Sequence, residues 1–101
     1  MILGVAVSVN SVPIRLTDER WEHILDGHAE FSYSDYSLIL EAIENPEYIL
    51  SGRHGSLIAL MVLGPKAYLH VFYRELSEQD GFVITAAIRN ARDKARILWQ
   101  S

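Results

Sequence analysis

Five side chains have the types and settings used by acid-base and phosphate chemistry: His28, Arg53, Tyr73, Arg74 and Thr85. An imidazole with an ordinary pKa of about 6.5 takes or gives a proton at neutral pH, each role being worth about 10² to 10⁴ in rate. His28 directly follows Gly27 at the expected end of a helix, on the stripe begun by Trp21. Either Trp21 fixes its ring for proton transfer, or it caps the helix carbonyls. Arg53 and His54 stand between Gly52 and Gly55, and glycines on both sides allow close backbone approach. That makes the turn either an anion site or an ordinary link between strands. If Tyr73 and Thr85 occupy neighbouring strands on the same face, they and Arg74 orient a phosphate or an attacking hydroxyl. His70 and His54 are secondary candidates. Arg89, Arg92, Lys94 and Arg96 are crowded near the C-terminus, where they meet phosphates or simply face water.

The elements that must position these groups are legible in outline. Residues 1–16 form a strand or hairpin turning at Asn10 and Ser11, with Pro13 demoting its second arm to an edge. Thr17 is a helix N-cap, Asp18 and Glu19 suit the first turn, and Gly27 is a stop, so a helix is expected over 18–27. His23 lies roughly 200° round from Trp21 and faces solvent. Tyr36, Ile39, Leu40 and Ile43 repeat at helical spacing behind Ser34 or Asp35, and Asn45-Pro46 ends that second helix. Residues 48–52, 56–63, 67–74 and 82–87 read as strands. Turns at Gly64-Pro65-Lys66 and around Asp80-Gly81 join the last three into an antiparallel meander. At period two, Leu69, Val71 and Tyr73 share one face and His70, Phe72 and Arg74 the other, while Thr85 falls with Val83 and Ala87. Ile88, Ala91, Ala95 and Leu98 allow a terminal helix. The expected fold is α+β, with two N-terminal helices on a four-stranded antiparallel sheet, an extra N-terminal hairpin and a short C-terminal helix.

The 101 residues suit one domain with one core, and half of them are hydrophobic, which argues against disorder. The longest apolar run, 57–63, is too short for a membrane span. No basic region precedes the apolar N-terminus and no small-residue cleavage site follows it, so no signal peptide is expected. With no cysteine, disulfides and thiolate metal sites are excluded, in keeping with a cytoplasmic setting. Net charge is −4, but its distribution is uneven. Residues 1–50 hold nine acidic and two basic side chains, whereas residues 51–101 hold four acidic and seven basic. The candidate phosphate contacts all lie in the positive half.

The segments IRLTDERWEHILDGHAE, ENPEYIL, GRHG, VFYRE and DGFVITA, followed by a basic tail ending in ILW, resemble the small bacterial and phage proteins grouped as barnase/EndoU/colicin/RelE-like nucleases. The similarity runs over about residues 14–99. It implies helices packed on an antiparallel sheet and metal-independent cleavage of RNA, as in the toxins of toxin-antitoxin pairs. The implied partners are RNA and a cognate antitoxin. Such cleavage needs a base for the 2′-hydroxyl, an acid for the leaving 5′-oxygen and positive groups around the phosphate. By the resemblance His28 matches the histidine after the first helix, Arg53 the basic position before the first long strand, and Thr85 the hydroxyl residue of the last strand. Tyr73 and Arg74 match the polar end of the VFYRE strand. His54, Arg89 and Arg92 would bind substrate. A carboxylate base is not evident, Glu75 being the nearest option.

Other chemistries are less well served. His23 and His28 are five apart and do not share a helix face, so zinc is not expected, and no cofactor motif is present. The rival expectation is a non-catalytic module of the same fold that binds RNA or a protein through the basic tail and Trp99. Trp99 and the apolar N-terminal strand either seed a homodimer or complete the core.

Overall fold

The computed structural model describes residues 1–101. Strands β1 (Ile2–Val7), β2 (Pro13–Thr17), β3 (Tyr48–Ser51), β4 (Leu57–Gly64), β5 (Ala67–Ser77), β6 (Asp80–Arg89) and β7 (Ile97–Gln100) form one sheet in the order β1-β2-β6-β5-β4-β3-β7. All neighbours are antiparallel except β2 and β6, which run parallel over Ile14–Arg15 and Gly81–Phe82. Helices α1 (Asp18–Gly27) and α2 (Tyr36–Glu44) pack on one face.

This corrects the expected architecture of two helices on a four-stranded antiparallel sheet: the sheet is seven-stranded and mixed. The N-terminal hairpin joins the sheet as β1 and β2, and Pro13 begins a strand paired on both sides instead of lying at an edge. No C-terminal helix forms. The periodic Ile88, Ala91, Ala95 and Leu98 are divided among the end of β6, an irregular segment over 90–96, and β7, because β6 gains backbone bonds along β5 and β7 pairs with β3. The β5–β6 turn falls two residues earlier than the Asp80-Gly81 signal, at Glu78-Gln79, leaving Asp80 and Gly81 inside β6.

α1 starts where Thr17 Oγ1 accepts from Arg20 N–H at 3.2 Å, satisfying one orphan amide of the first turn. Its inward face buries Trp21 and Ile24; α2 buries Ile39, Ala42 and Ile43. These meet Ile14 and Leu16 of β2, Leu69, Val71 and Tyr73 of β5, and Val83 and Ala86 of β6 in one core. Burial at roughly 1.5–3 kcal/mol per large apolar side chain makes this layer the main source of stability. No helix is long and apolar enough to cross a membrane.

The other face of the sheet carries Leu50, Ile58, Leu60 and His70, all buried although no helix covers them. The cover comes from chain connectivity. Between β6 and β7 lie β5, β4 and β3, so the linking segment must pass over this face for about 19 Å at ~4.8 Å per strand. From Arg89 to Ile97 the chain reaches at most about 26–29 Å, leaving little slack. Residues 90–96 are therefore a strap.

Candidate functional site

A cavity of about 500 Å³ opens on the strap side of the sheet. Its floor is Ile58 of β4 and Phe72 of β5; one wall is the β3–β4 turn with Ser51, Gly52, Arg53 and Ser56, and the other is Arg89, Asp93 and Ala95. Local chemistry builds the turn. Gly52 N–H donates to the Ser56 carbonyl at 2.8 Å, and Ser56 N–H and Oγ both donate to the Arg53 carbonyl, at 3.0 and 2.7 Å. A Cβ at Gly52 would lie 2.9 Å from the Ser56 carbonyl oxygen, so only glycine closes this loop unstrained. His54 sits at φ 55° and Gly55 at φ 78°, both left-handed, and the kink turns the Arg53 and His54 side chains outward.

The opposite wall is set by β6 and the strap. The Arg89 guanidinium lies 5.6 Å from the Phe72 ring centroid and 3.5 Å from Asp93 Oδ2. Asp93 Oδ1 accepts from Ala95 N–H at 2.8 Å, and Arg92 Nη1 donates to the Asp93 carbonyl at 2.9 Å while stacking 5.7 Å from the Tyr48 ring centroid. Arg53 therefore faces the cavity without a carboxylate partner, whereas Arg89 arrives already paired. Arg74 is turned into the β3–β4 turn by donating to the His54 carbonyl.

Of the five leading sequence candidates, the fold divides the set. Arg53 lines the cavity; Arg74 braces the turn beside it; Thr85 stands opposite Phe72 on the same face of the sheet. Tyr73 does not join them. It lies on the helix-covered face, fully buried opposite Val83, with no hydrogen-bond partner for its hydroxyl. Burial, then the nearby Glu75 charge, pushes the phenol well above its usual pKa. The separation of Tyr73 from Thr85 has a local cause. The register shifts between Phe72 and Tyr73 where β6 passes from Thr85 to Val83, a bulge at Ile84. One extra residue reverses the alternation, so Val83 joins the core while Thr85 faces the cavity side.

His28 stands apart as well, at the outer margin of β6. Its backbone N–H donates to the Leu25 carbonyl at 3.4 Å, its ring packs edge-on to Phe31 at 6.3 Å, and Nδ1 lies 3.2 Å from Glu30 Oε2. The same carboxylate oxygen accepts from Ile88 N–H at 3.3 Å, tying the α1–α2 loop to β6 next to Arg89. Desolvation pushes the Glu30 carboxyl up, but hydrogen bonds from its own and Ile88's amides and from His28 outweigh it and hold the group below its usual pKa. A carboxylate so placed fixes Nδ1–H toward itself and leaves Nε2 free to act as a base.

Comparison with known protein families, with characterised proteins and with solved structures gives no match.

Sequence reasoning passed over three participants. Glu30 holds the His28 ring and the Ile88 amide, and its signal was local: an acid two residues beyond a histidine at a helix stop. Glu75 is instead occupied by Ser8 Oγ and by Asn10 Nδ2 at 3.0 Å. Asp93 and Phe72 complete the cavity, but only the strap's crossing brings Asp93 over β5, and nothing within the tail announces that. His54 is exposed on the turn beside Arg53, Arg92 braces the strap, and His70 is buried beneath it.

Proposed function

We propose that the chain is a metal-independent endoribonuclease acting on RNA held at the strap-side cavity, with a toxin-like role restrained by a cognate antitoxin protein. The observation that carries this reading is that Arg53 and Arg89 line one cavity from opposite walls, above the Phe72 ring. Two guanidiniums across such a space suit a phosphodiester, and an aromatic floor suits a neighbouring base. The resemblance to barnase/EndoU/colicin/RelE-like nucleases supplies the reaction class. Within it the arginines neutralise the charge that builds on the phosphate, and the resemblance assigns the 2′-hydroxyl proton to His28, which stands outside the cavity lining at the β6 margin with Nδ1 held by Glu30. The proton for the leaving 5′-oxygen falls to His54, exposed beside Arg53.

A second reading, an RNA-binding module without catalysis, is favoured by one specific observation. Tyr73 faces the helices and His28 sits at the β6 margin, so Arg53 is the one member of the leading five that lines the cavity. One experiment separates the two. RNA incubated with protein in EDTA should be cut by wild type and spared by His28→Ala, while Arg53→Ala weakens cutting. Intact RNA with wild type, together with salt-dependent binding, establishes the module instead.

A further inference from the structure

His70 is fully buried on β5 under the strap, and both of its ring nitrogens are engaged. Nδ1 lies 3.0 Å from the Tyr68 carbonyl, which can only accept, so Nδ1 carries the hydrogen. Nε2 lies 3.1 Å from the backbone N–H of Asp93, which can only donate, so Nε2 offers its lone pair. The two partners together select one neutral tautomer. They also place the bond at the middle of a strap that is anchored at its far end by Ser51 N–H donating to the Arg96 carbonyl at 2.9 Å.

We propose that His70 is a proton-operated latch: its neutral ring pins the strap at Asp93 and keeps the cavity walled, and protonation at Nε2 sets two donors against each other and releases the strap. A lost bond at this point is transmitted directly to the site. Asp93 is the residue that holds Arg89, and its carbonyl receives Arg92. When Asp93 lifts, one wall of the cavity goes with it, while β7 stays paired with β3.

The surroundings favour the neutral ring at neutral pH. The strands flanking His70 present Leu60 from β4 and Ala87 from β6, neither of which carries charge. Arg89 from β6 and Arg92 from the strap oppose a charged imidazole, whereas the Tyr68 carbonyl bonded to Nδ1 and the Asp93 carboxylate favour it; Tyr48 faces Arg92. Burial first, then the two arginines, outweigh the Tyr68 bond and Asp93 and hold the His70 pKa below its ordinary value, so release belongs to mildly acidic conditions. The device goes beyond the RNA reading and acts on the same cavity; only its consequence for RNA rests on that reading.

Amide hydrogen exchange of the full chain, read by NMR with an independent titration of the His70 ring, tests it. Between about pH 7.5 and pH 5, protection of the Asp93 and Ala95 amides should fall at least about tenfold while the Ile39 and Val71 amides stay protected. The midpoint should coincide with the His70 ring titration. His70→Gln keeps an acceptor but has no proton to gain, and should hold the strap at both pH values. Protection at Asp93 that is unchanged with pH, or that falls equally in His70→Gln, would overturn the latch. If the variant fails to fold, a mismatch between the exchange midpoint and the ring titration in wild type overturns it just as well. Binding of a short single-stranded RNA is measured alongside. RNA that binds at neither pH refutes the RNA reading and leaves the latch to be judged on exchange alone.

Discussion

Replacing Tyr73 by phenylalanine should make the protein more stable and leave any RNA cleavage intact. The phenol is fully buried against the helices, and its hydroxyl has no partner. A buried hydroxyl without a hydrogen bond forfeits its hydration at a cost of about 1–3 kcal/mol. Deleting one oxygen removes that cost and leaves a void smaller than a methyl group, whose lost contacts amount to a few tenths of a kcal/mol. The net gain is about 1 kcal/mol or more, which for a domain of this size raises Tm by roughly 4–8 °C. Urea denaturation should give the same ordering, with a higher midpoint and an unchanged slope. Tyr73 cannot act as a proton acceptor, since burial and Glu75 raise its pKa and keep the phenol protonated. Cleavage by Tyr73→Phe should therefore equal wild type. A Tm that falls by several degrees would mean that the hydroxyl has a partner after all. A cleavage rate reduced tenfold or more would return Tyr73 to the chemistry, with the sheet face assigned to it in error.

Further predictions concern the cavity and its supports. Arg53→Ala and Arg89→Ala should each weaken RNA binding and lower the slope of log K against log salt by about 1, because each releases one phosphate contact; filter binding at several salt concentrations checks this, and an unchanged slope refutes the contact. Gly52→Ala should cost about 1–3 kcal/mol, since its Cβ would meet the Ser56 carbonyl oxygen at 2.9 Å and break the Gly52–Ser56 backbone bond; a wild-type melting curve refutes the turn geometry. Glu30 titrates below its ordinary value of 4.5 in the folded chain, so the unfolded chain binds its proton first as pH falls. Its stabilisation is whole above that value and is lost as pH drops below it through the folded-state pKa, and Glu30→Gln should flatten the stability profile across that window.

What local chemistry fixes was legible in the sequence. Thr17, the acidic first turn and Gly27 delimit α1 where the helix stands, and the Gly64-Pro65-Lys66 turn joins β4 to β5 with Lys66 at φ 55°. The period-two faces of β5 are as the pattern implies, with Leu69, Val71 and Tyr73 inward and His70 buried on the other side. What depends on distant partners was not legible. The spacing of Ile88, Ala91, Ala95 and Leu98 satisfies a helix, but His70, 23 residues away from Asp93, and β3 claim the same residues for a strap and a strand. The parallel contact of β2 with β6 spans only Ile14–Arg15 and Gly81–Phe82, too short a run to mark either sequence. The site suffered most from the bulge at Ile84. A bulge has no fixed residue signature, yet it decides which face Thr85 occupies, and with it whether Tyr73 and Thr85 can meet.

The uneven charge of the chain acquires spatial meaning from this topology. Both helices come from the acidic half, and Asp18, Glu19, Glu22 and Asp26 of α1 and Glu41 and Glu44 of α2 therefore ride on the face they cover. The strap and the β3–β4 turn come from the basic half and occupy the opposite face with Arg53, Arg74, Arg89 and Arg92. Because the strap must cross the sheet to reach β7, cations that would otherwise trail from a terminus are laid over the cavity. The sheet thus separates a negative side from a positive one. A polyanion approaching from solution is repelled by one side and drawn to the other, so net charge of −4 does not oppose its capture. Capture should be steered, and its association rate should fall as ionic strength shortens the screening length from about 10 Å toward 3 Å. An association rate insensitive to salt would show that the arginines over the cavity do not act together, even if each touches phosphate.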